Sequence, residues 1–260
     1  MRAAGLLVAQ TLDRVRAAVA PGVSTADLDA LAEENIRASG GIPSFKGYYG
    51  YPASLCTSVN EQIVHAIPAA TQVLREGDLI SIDCGAIVEG WHGDAAITVG
   101  VGEIRPELTR MIKVAEDAMW AGLDAAAQGT ASGRGRLTDI SAAIEASIRA
   151  AGRYGIVRGY GGHGIGTEMH QDPHILNYGR PGKGPRLIPG LALAIEPMIT
   201  RGAPDSVELA DGWTVVTRDG SVAVHVEHTI TLFDDGVLVT TAADGGRSRL
   251  GEDALTSWTT

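Results

Sequence analysis

The chain has 260 residues, 45% of them hydrophobic, which is ample for a sizeable core and argues against disorder as the main state. A formal charge of -10 without any basic run excludes a nucleic-acid binder, and two cysteines, Cys56 and Cys84, form no disulfide framework and fit a reducing cytoplasm. The N-terminal apolar run is broken by Gln10, Asp13, Arg14 and Arg16, so it is read as neither a signal peptide nor a membrane span.

Taken in chain order, the first predicted element is an amphipathic helix over roughly residues 3–20. After Pro21 and Gly22, "STADLDALAEENIRASGG" has a cap-rich start, helical apolar spacing and paired glycines at its end, which predicts a second helix. "LISIDCGAIV" (79–88) and "DAAITVGV" (94–101) read as a hairpin turning near Glu89 and Gly90. A long helical segment, "ELTRMIKVAEDAMWAGLDAAA", starts at 107. "GTASGRGR" (129–136) is expected as an exposed loop between two halves, and "LTDISAAIEASIRAAGR" as a further helix. In that helix Asp139, Ile140, Ala142, Glu145, Ile148, Arg149, Ala150 and Gly152 each follow an identical or similar residue of the second helix by 112 positions. The strands "LALAIEPMIT" (191–200) and "VAVHVEHTITLF" (222–233) follow, the latter turning through "DDG" into "GVLVTT". Two helices followed by β structure, twice, point to one α+β domain over residues 1–260 with pseudo-repeat halves at about 1–105 and 106–245.

Four carboxylates stand in apolar strands. The hairpin is expected to put Asp83 and Asp94 nearly opposite each other, where Cβ atoms are only about 5 Å apart and like charges repel. Glu196 ends one apolar run before Pro197, and Glu227 is read as lying inside another strand. One such acid is ordinarily a paired structural residue. Four of them, with "GGHGIGTEMHQDP" (161–173) supplying His163 and His170 among glycines, point to ligands for hard cations, and to two divalent ions rather than one. Read alone, that glycine-rich stretch is first a mobile polar loop, since its spacing matches neither the zinc-protease helix nor the zinc-finger pattern. Of the other histidines, His92, His174 and His228 are expected to be hydrogen-bonded structural residues.

"GYYGYPASLCTSVNEQIVHAIP", "IDCGAIVEGWHGDAA", "GHGIGTEMHQDP", "IEPM", "DGWTVVTRDGS" and "VEHTI" together resemble the type I methionine aminopeptidases, of the pita-bread metallopeptidase family, over nearly the whole chain. The resemblance implies a pita-bread fold with two pseudo-symmetric halves around a central antiparallel sheet. It implies a dinuclear centre of two divalent ions, Co, Mn, Fe or Zn, with Asp83, Asp94, His163, Glu196 and Glu227 as ligands. Asp94 and Glu227 would bridge the ions, Asp83 would hold one, and His163 with Glu196 the other. It further implies His65, His170 and Glu196 as catalytic residues, the two histidines contacting substrate and Glu196 shuttling a proton. Phe45, Tyr48, Tyr51, Cys56, Met169 and Trp213 would line a pocket for the methionine side chain, although core packing is an equal reading for Phe45 and Cys56. The implied activity is removal of the initiator methionine from nascent polypeptides with a small second residue, at the ribosome, by a monomeric cytoplasmic enzyme without nucleic-acid or membrane partners.

The chain departs from the family pattern at Ala66, where glycine is usual, at Met169, where an aromatic is frequent, and at His225, where glutamine is usual. His225, two residues before Glu227, is expected on the same strand face, as packing or as a partner of a ligand. The chain reads as the bare catalytic domain, and the ribosome-directed N-terminal extension of some relatives is not expected. Two other readings remain: a proline-directed aminopeptidase or prolidase, which usually carries an extra N-terminal domain, and a metal-free binding module, which typically lacks several of these ligands.

Overall fold

Apolar residues spaced by three and four build the first helix, α1 (Arg2–Ala18), in this computed structural model, which describes residues 1–257. Ala4, Val8, Leu12 and Val15 are buried on one face of α1, which packs on the hairpin formed by the strands Leu79–Val88 and Trp91–Gly100. The next helix, α2 (Thr25–Ala38), opens on a capping box in which Ser24 and Asp27 satisfy each other's backbone N–H groups. In the same position 112 residues later, the Asp139 carboxylate accepts from the Arg136 N–H at the start of α4 (Leu137–Ala151).

Between them lies α3 (Pro106–Ala131), whose start follows from Pro106 at its first turn. This helix is longer than its sequence suggests and buries Gly129 and Thr130. The exposed loop expected over 129–136 is shorter than read: only residues 132–136 are outside helix, with 132–134 exposed, and they join α3 to α4. The reason is backbone contact, since a Cβ on Gly135 would fall on the main chain of Gly129. Gly129 and Gly135 thus form a close-packed crossing.

All the strand ladders between the described strands are antiparallel. The strand Leu79–Val88 is the centre of one sheet, with Trp91–Gly100 on one side and Ile42–Pro43 and Leu55–Val59 on the other. Its hairpin closes through Glu89 and Gly90, both with positive φ, in the turn expected from the sequence. The register, however, pairs Asp83 with Ala96 and Asp94 with Gly85. The two aspartates are thus diagonal neighbours on one face, offset by two residues, and not directly opposed.

A five-stranded sheet runs Gly236–Val239, His228–Phe233, Ala192–Ile195, Gly161–Gly164, Gln171–Leu176. Helices α3 and α4 pack on it and share a core with it, in which Leu123, Ile144, Leu193, Ile195 and Ile230 are fully buried. Two expected continuous strands are in fact broken. "LALAIEPMIT" splits into Ala192–Ile195 and Met198–Thr200, and "VAVHVEHTITLF" into Ala223–His225 and His228–Phe233, with the pieces of each in different sheets. Glu196 and Glu227 stand at these breaks and not within strands. At Glu196 the cause is Pro197, which lacks the ladder donor. At Glu227 the chain instead bridges to the hairpin, Glu227 N–H donating to the Ala96 carbonyl at 2.8 Å and the Thr229 hydroxyl to the Asp94 carbonyl at 2.8 Å. The two sheets are sewn together at the carboxylates.

Candidate active site

The glycine-rich stretch around His163 is not a mobile loop. Residues 161–164 form a strand held between the strands Ala192–Ile195 and Gln171–Leu176. A Cβ on Gly161, Gly162 or Gly164 would fall on the carbonyl of Ile175, Ala194 or Asp172. The glycines thus let the backbone carry His163 into the middle of the molecule. There Nδ1–H of His163 donates to the Gly164 carbonyl at 2.9 Å, which leaves Nε2 unprotonated and free to coordinate. That Nε2 lies 3.7 Å from Glu196 Oε1.

Asp83, Asp94, Glu196 and Glu227 converge on the same point, all buried. Ligand atoms of Asp94, His163 and Glu227 lie within 4.8 Å of one another, and so do those of Glu196, His225 and Glu227. Glu227 belongs to both groups. Among the described residues no lysine or arginine pairs with any of the four carboxylates, and Asp83 Oδ1, Asp94 Oδ1 and Glu227 Oε1 have no hydrogen-bond partner. Burial pushes Asp83 up to about 7 and Glu196 up to about 8. Burial and then the neighbouring carboxylates hold Asp94 and Glu227 well above the usual range. Unpaired buried carboxylates are costly, and a divalent cation is the group that would relieve all of them at once. The oxygen-rich donor set with one free imidazole nitrogen fits such an ion.

His225 is also here. It is fully buried, with Nε2 3.3 Å from Glu196 Oε2 but outside hydrogen-bond geometry. The expected placement beside Glu227 holds, with ligand atoms of the two within 4.8 Å of each other, although the strand ends at His225 and does not run on to Glu227.

A cavity of about 100 Å³ is lined by all five expected metal ligands, by His65 and His170, and by Phe45, Tyr48, Tyr51, Cys56, Met169 and Trp213. Phe45, Tyr51, Cys56 and Met169 form one apolar cluster with Ala53, so core packing and cavity wall are the same role at these positions. The Tyr51 hydroxyl donates to the carbonyls of Leu55 and Ala66, and its ring meets Trp213 edge-on at 5.0 Å. Trp213 is set by an Asp211 turn, whose carboxylate accepts from the N–H groups of Trp213 and Thr214.

A wider cavity of about 730 Å³ opens outside, lined by Tyr160, Glu168, Gln171, Asp172, His174 and Met198. His65, His163, His170 and Glu196 line both cavities and form the neck between them. Of the outer wall, the sequence reading singled out only His174, and that as a structural residue; it is exposed on the rim instead. Tyr160, directly before the glycine run, was the available signal. His65 adopts a left-handed φ of 61°, a strained conformation for a residue with a Cβ. Ala66 is not among the residues of positive φ, so the methyl group that replaces glycine there meets no backbone strain. Burial lowers His65 and His163 to about 4 and lowers His170, so all three are neutral at pH 7. His92 and His228 are the bonded structural residues expected, on Ser44 and Thr241 at 2.9 Å each.

Residues 1–233 match metallopeptidase family M24. The chain belongs to that family. It is 52% identical over 246 residues to methionine aminopeptidase 1 of Mycobacterium tuberculosis, covering 93% of this chain and 91% of that protein. The crystal structure of methionine aminopeptidase from Rickettsia prowazekii superposes with a TM-score of 0.87 at 40% identity, covering 93% and 95% of the two chains. Prolidase from Pyrococcus furiosus shares the fold alone, at a TM-score of 0.70 and 17% identity over 93% of this chain and 62% of that one. The architecture is the pita-bread fold, and the chain is a metal-dependent hydrolase. Among the described residues no helix is long and apolar enough to cross a membrane.

Proposed function

We propose that this chain is a methionine aminopeptidase that removes the initiator methionine from nascent polypeptides whose second residue is small. One observation carries the reading: a small pocket, lined on one part by the carboxylates and on another by aromatic and sulfur-bearing side chains, meets a wider open cavity at a neck of His65, His163, His170 and Glu196. A pocket of that size accepts one side chain, and the rest of a peptide has room only outside. Two divalent ions, of Co, Mn, Fe or Zn, would be held by Asp83, Asp94, His163, Glu196 and Glu227, with Asp94 and Glu227 shared. Bound there, the ions supply Lewis acidity toward the scissile carbonyl and a nucleophilic oxygen at neutral pH.

The remaining work falls to the protein. Glu196 lies at the neck, where its carboxylate is placed to take a proton from the nucleophile and give it to the departing nitrogen. His65 and His170, neutral at pH 7, donate hydrogen bonds to the oxygen on which charge develops. The aromatic and sulfur-bearing wall suits a flexible, polarisable thioether. The whole chain acts as one catalytic unit, a monomer working in the cytoplasm on chains leaving the ribosome, with the half at 1–105 supplying the aspartates and the half at 106–245 the histidine and glutamates.

Turnover of Met-Ala-Ser, Met-Leu-Ser, Leu-Ala-Ser and an X-Pro peptide by metal-loaded protein tests this. Met-Ala-Ser is expected to be cleaved best, and release of the residue before proline should be absent. Equal kcat/KM on the first three peptides would leave a general aminopeptidase, and preference for X-Pro would leave a proline-directed enzyme.

A further inference from the structure

The short segment between Phe45 and Tyr51 has positive φ at three places, one of them a residue with a side chain. Gly47 and Gly50 have φ of 92° and 88°, and between them Tyr49 has φ of 47°, a left-handed conformation unfavourable for an aromatic residue. The loop is nonetheless fixed by backbone bonds from Gly47 to Tyr51 and from Tyr48 to Phe45, at 2.8 and 2.9 Å. Tyr49 is 87% exposed and contacts little besides Tyr48, whose ring it meets edge-on at 4.6 Å. Strain retained in an exposed loop calls for a compensating function.

What the loop delivers is the Tyr48 hydroxyl. It lies 2.8 Å from His170 Nδ1, and the two rings are 5.3 Å apart. The ring of His170 also lies 4.3 Å from that of His163, tilted by 60° to it, so its position is bounded by the Tyr48 loop and by a histidine of the proposed metal centre. Tyr48 faces only the inner pocket, whereas His170 faces both the pocket and the outer cavity.

We propose that Tyr48 is a positioning residue for His170: its hydroxyl donates to Nδ1, places the imidazole proton on Nε2, and ties the fit of a side chain in the pocket to the aim of the hydrogen-bond donor. A neutral imidazole has one donor and one acceptor nitrogen, and the bond made by one decides the role of the other. With Nδ1 accepting from Tyr48, Nε2–H is the donor that developing negative charge on a substrate oxygen requires. With Nδ1–H donating to Tyr48 instead, Nε2 would present a lone pair to that oxygen and repel it. This role rests on the methionine aminopeptidase reading for its kinetic consequence, but the hydrogen bond itself does not.

The test is Tyr48→Phe, which keeps the ring and deletes the hydroxyl. Full-length, zinc-loaded protein labelled with 15N at histidine is examined at pH 8, with His170→Ala assigning the His170 resonances. The expected result is an unprotonated Nδ1 and a protonated Nε2 in the wild type, shifting toward a mixture of tautomers in Tyr48→Phe. On Met-Ala-Ser, kcat of the variant is expected to fall about 10- to 100-fold with KM within about twofold. A protonated Nδ1 in the wild type, unchanged His170 resonances in the variant, or a raised KM at unchanged kcat would each overturn the proposal and leave Tyr48 as a wall of the pocket. If the wild type cleaves no methionyl peptide, the functional reading fails, while the resonances still decide whether Tyr48 sets the tautomer.

Discussion

The floor and the wall of the inner cavity are built on opposite physical terms. The floor is four buried carboxyls and an imidazole with several atoms left without protein partners, so its side chains cannot all be ionised together until a cation joins them. The wall of Phe45, Tyr51, Cys56, Met169 and Trp213 is complete in itself: its rings touch, its hydroxyl is bonded, and its neighbours share the contact. A site whose parts need an absent group is all-or-none toward substitution, whereas a packed apolar surface loses its function by degrees.

The largest expected effect comes from removing a charge of the floor that the proposed centre would share between its ions. Asp94→Asn and Glu227→Gln are each expected to abolish metal binding and turnover while leaving circular dichroism unchanged, and metal analysis with peptide hydrolysis measures both. Full activity in either variant would erase the distinction between floor and wall. Next comes the neck: His170→Ala should retain its metal and lose about 100-fold or more in kcat, as for removal of one oxyanion donor. Metal loss in parallel with activity would move His170 into the floor.

A pH experiment sharpens the contrast without any substrate. Asp83 at about 7 and Glu196 at about 8 are raised by burial above their unfolded values near 4, so the folded protein holds protons that the unfolded chain has released. Stability of chelated protein therefore falls as pH rises through that range. His65 and His163, lowered to about 4, act in the opposite sense between about 4 and 6.5, where the unfolded chain binds the extra proton, and they mask part of the loss there. Between pH 6.5 and 8 the carboxylates are opposed by the Met1 amino group, which burial lowers from its ordinary value, but four raised acids outweigh one amine and Tm of the chelated protein should drop across this window. Saturation with a divalent ion should flatten the drop, and so should Asp94→Asn in the chelated state. An identical slope with and without metal would show that the floor is not where the ion binds.

The smallest effects belong to the wall. Apolar pockets discriminate by about 1–3 kcal/mol per methylene, so Leu-Ala-Ser should be cleaved about 10- to 200-fold less well than Met-Ala-Ser, and not be silent. Trp213→Ala should raise KM about tenfold and narrow that ratio, with metal content unchanged. A loss of metal in this variant would mean that wall and floor are not independent.

Much of the molecule was legible in the chain because short-range rules governed it. The hairpin at 79–100, its Glu89-Gly90 turn and the helices α1, α2 and α4 follow from periodicity and capping within windows of a few turns. The carboxylates were conspicuous because an acid in an apolar strand needs a reason. The register of Asp83 against Asp94 was misjudged by two residues, although the expected two-residue turn at Glu89 and Gly90 already pairs Asp83 with Ala96. The breaks at Glu196 and Glu227 were hidden because an apolar run reads the same whether it stays in one sheet or passes between two.

By itself, then, the sequence determined which residues were chemically out of place: four acids among β-formers, histidines among glycines, and a cluster of aromatics ahead of them. Those are local conflicts between a residue and its neighbours, and they are visible without knowing the fold. Only the tertiary structure decided that a glycine strand carries His163 inward between two others, that His225 faces Glu196, and that the Tyr48 hydroxyl reaches His170 across 122 positions of chain. Contacts of that kind depend on how sheets join and where strands break, and no spacing along the chain encodes a distance between segments that meet only after folding.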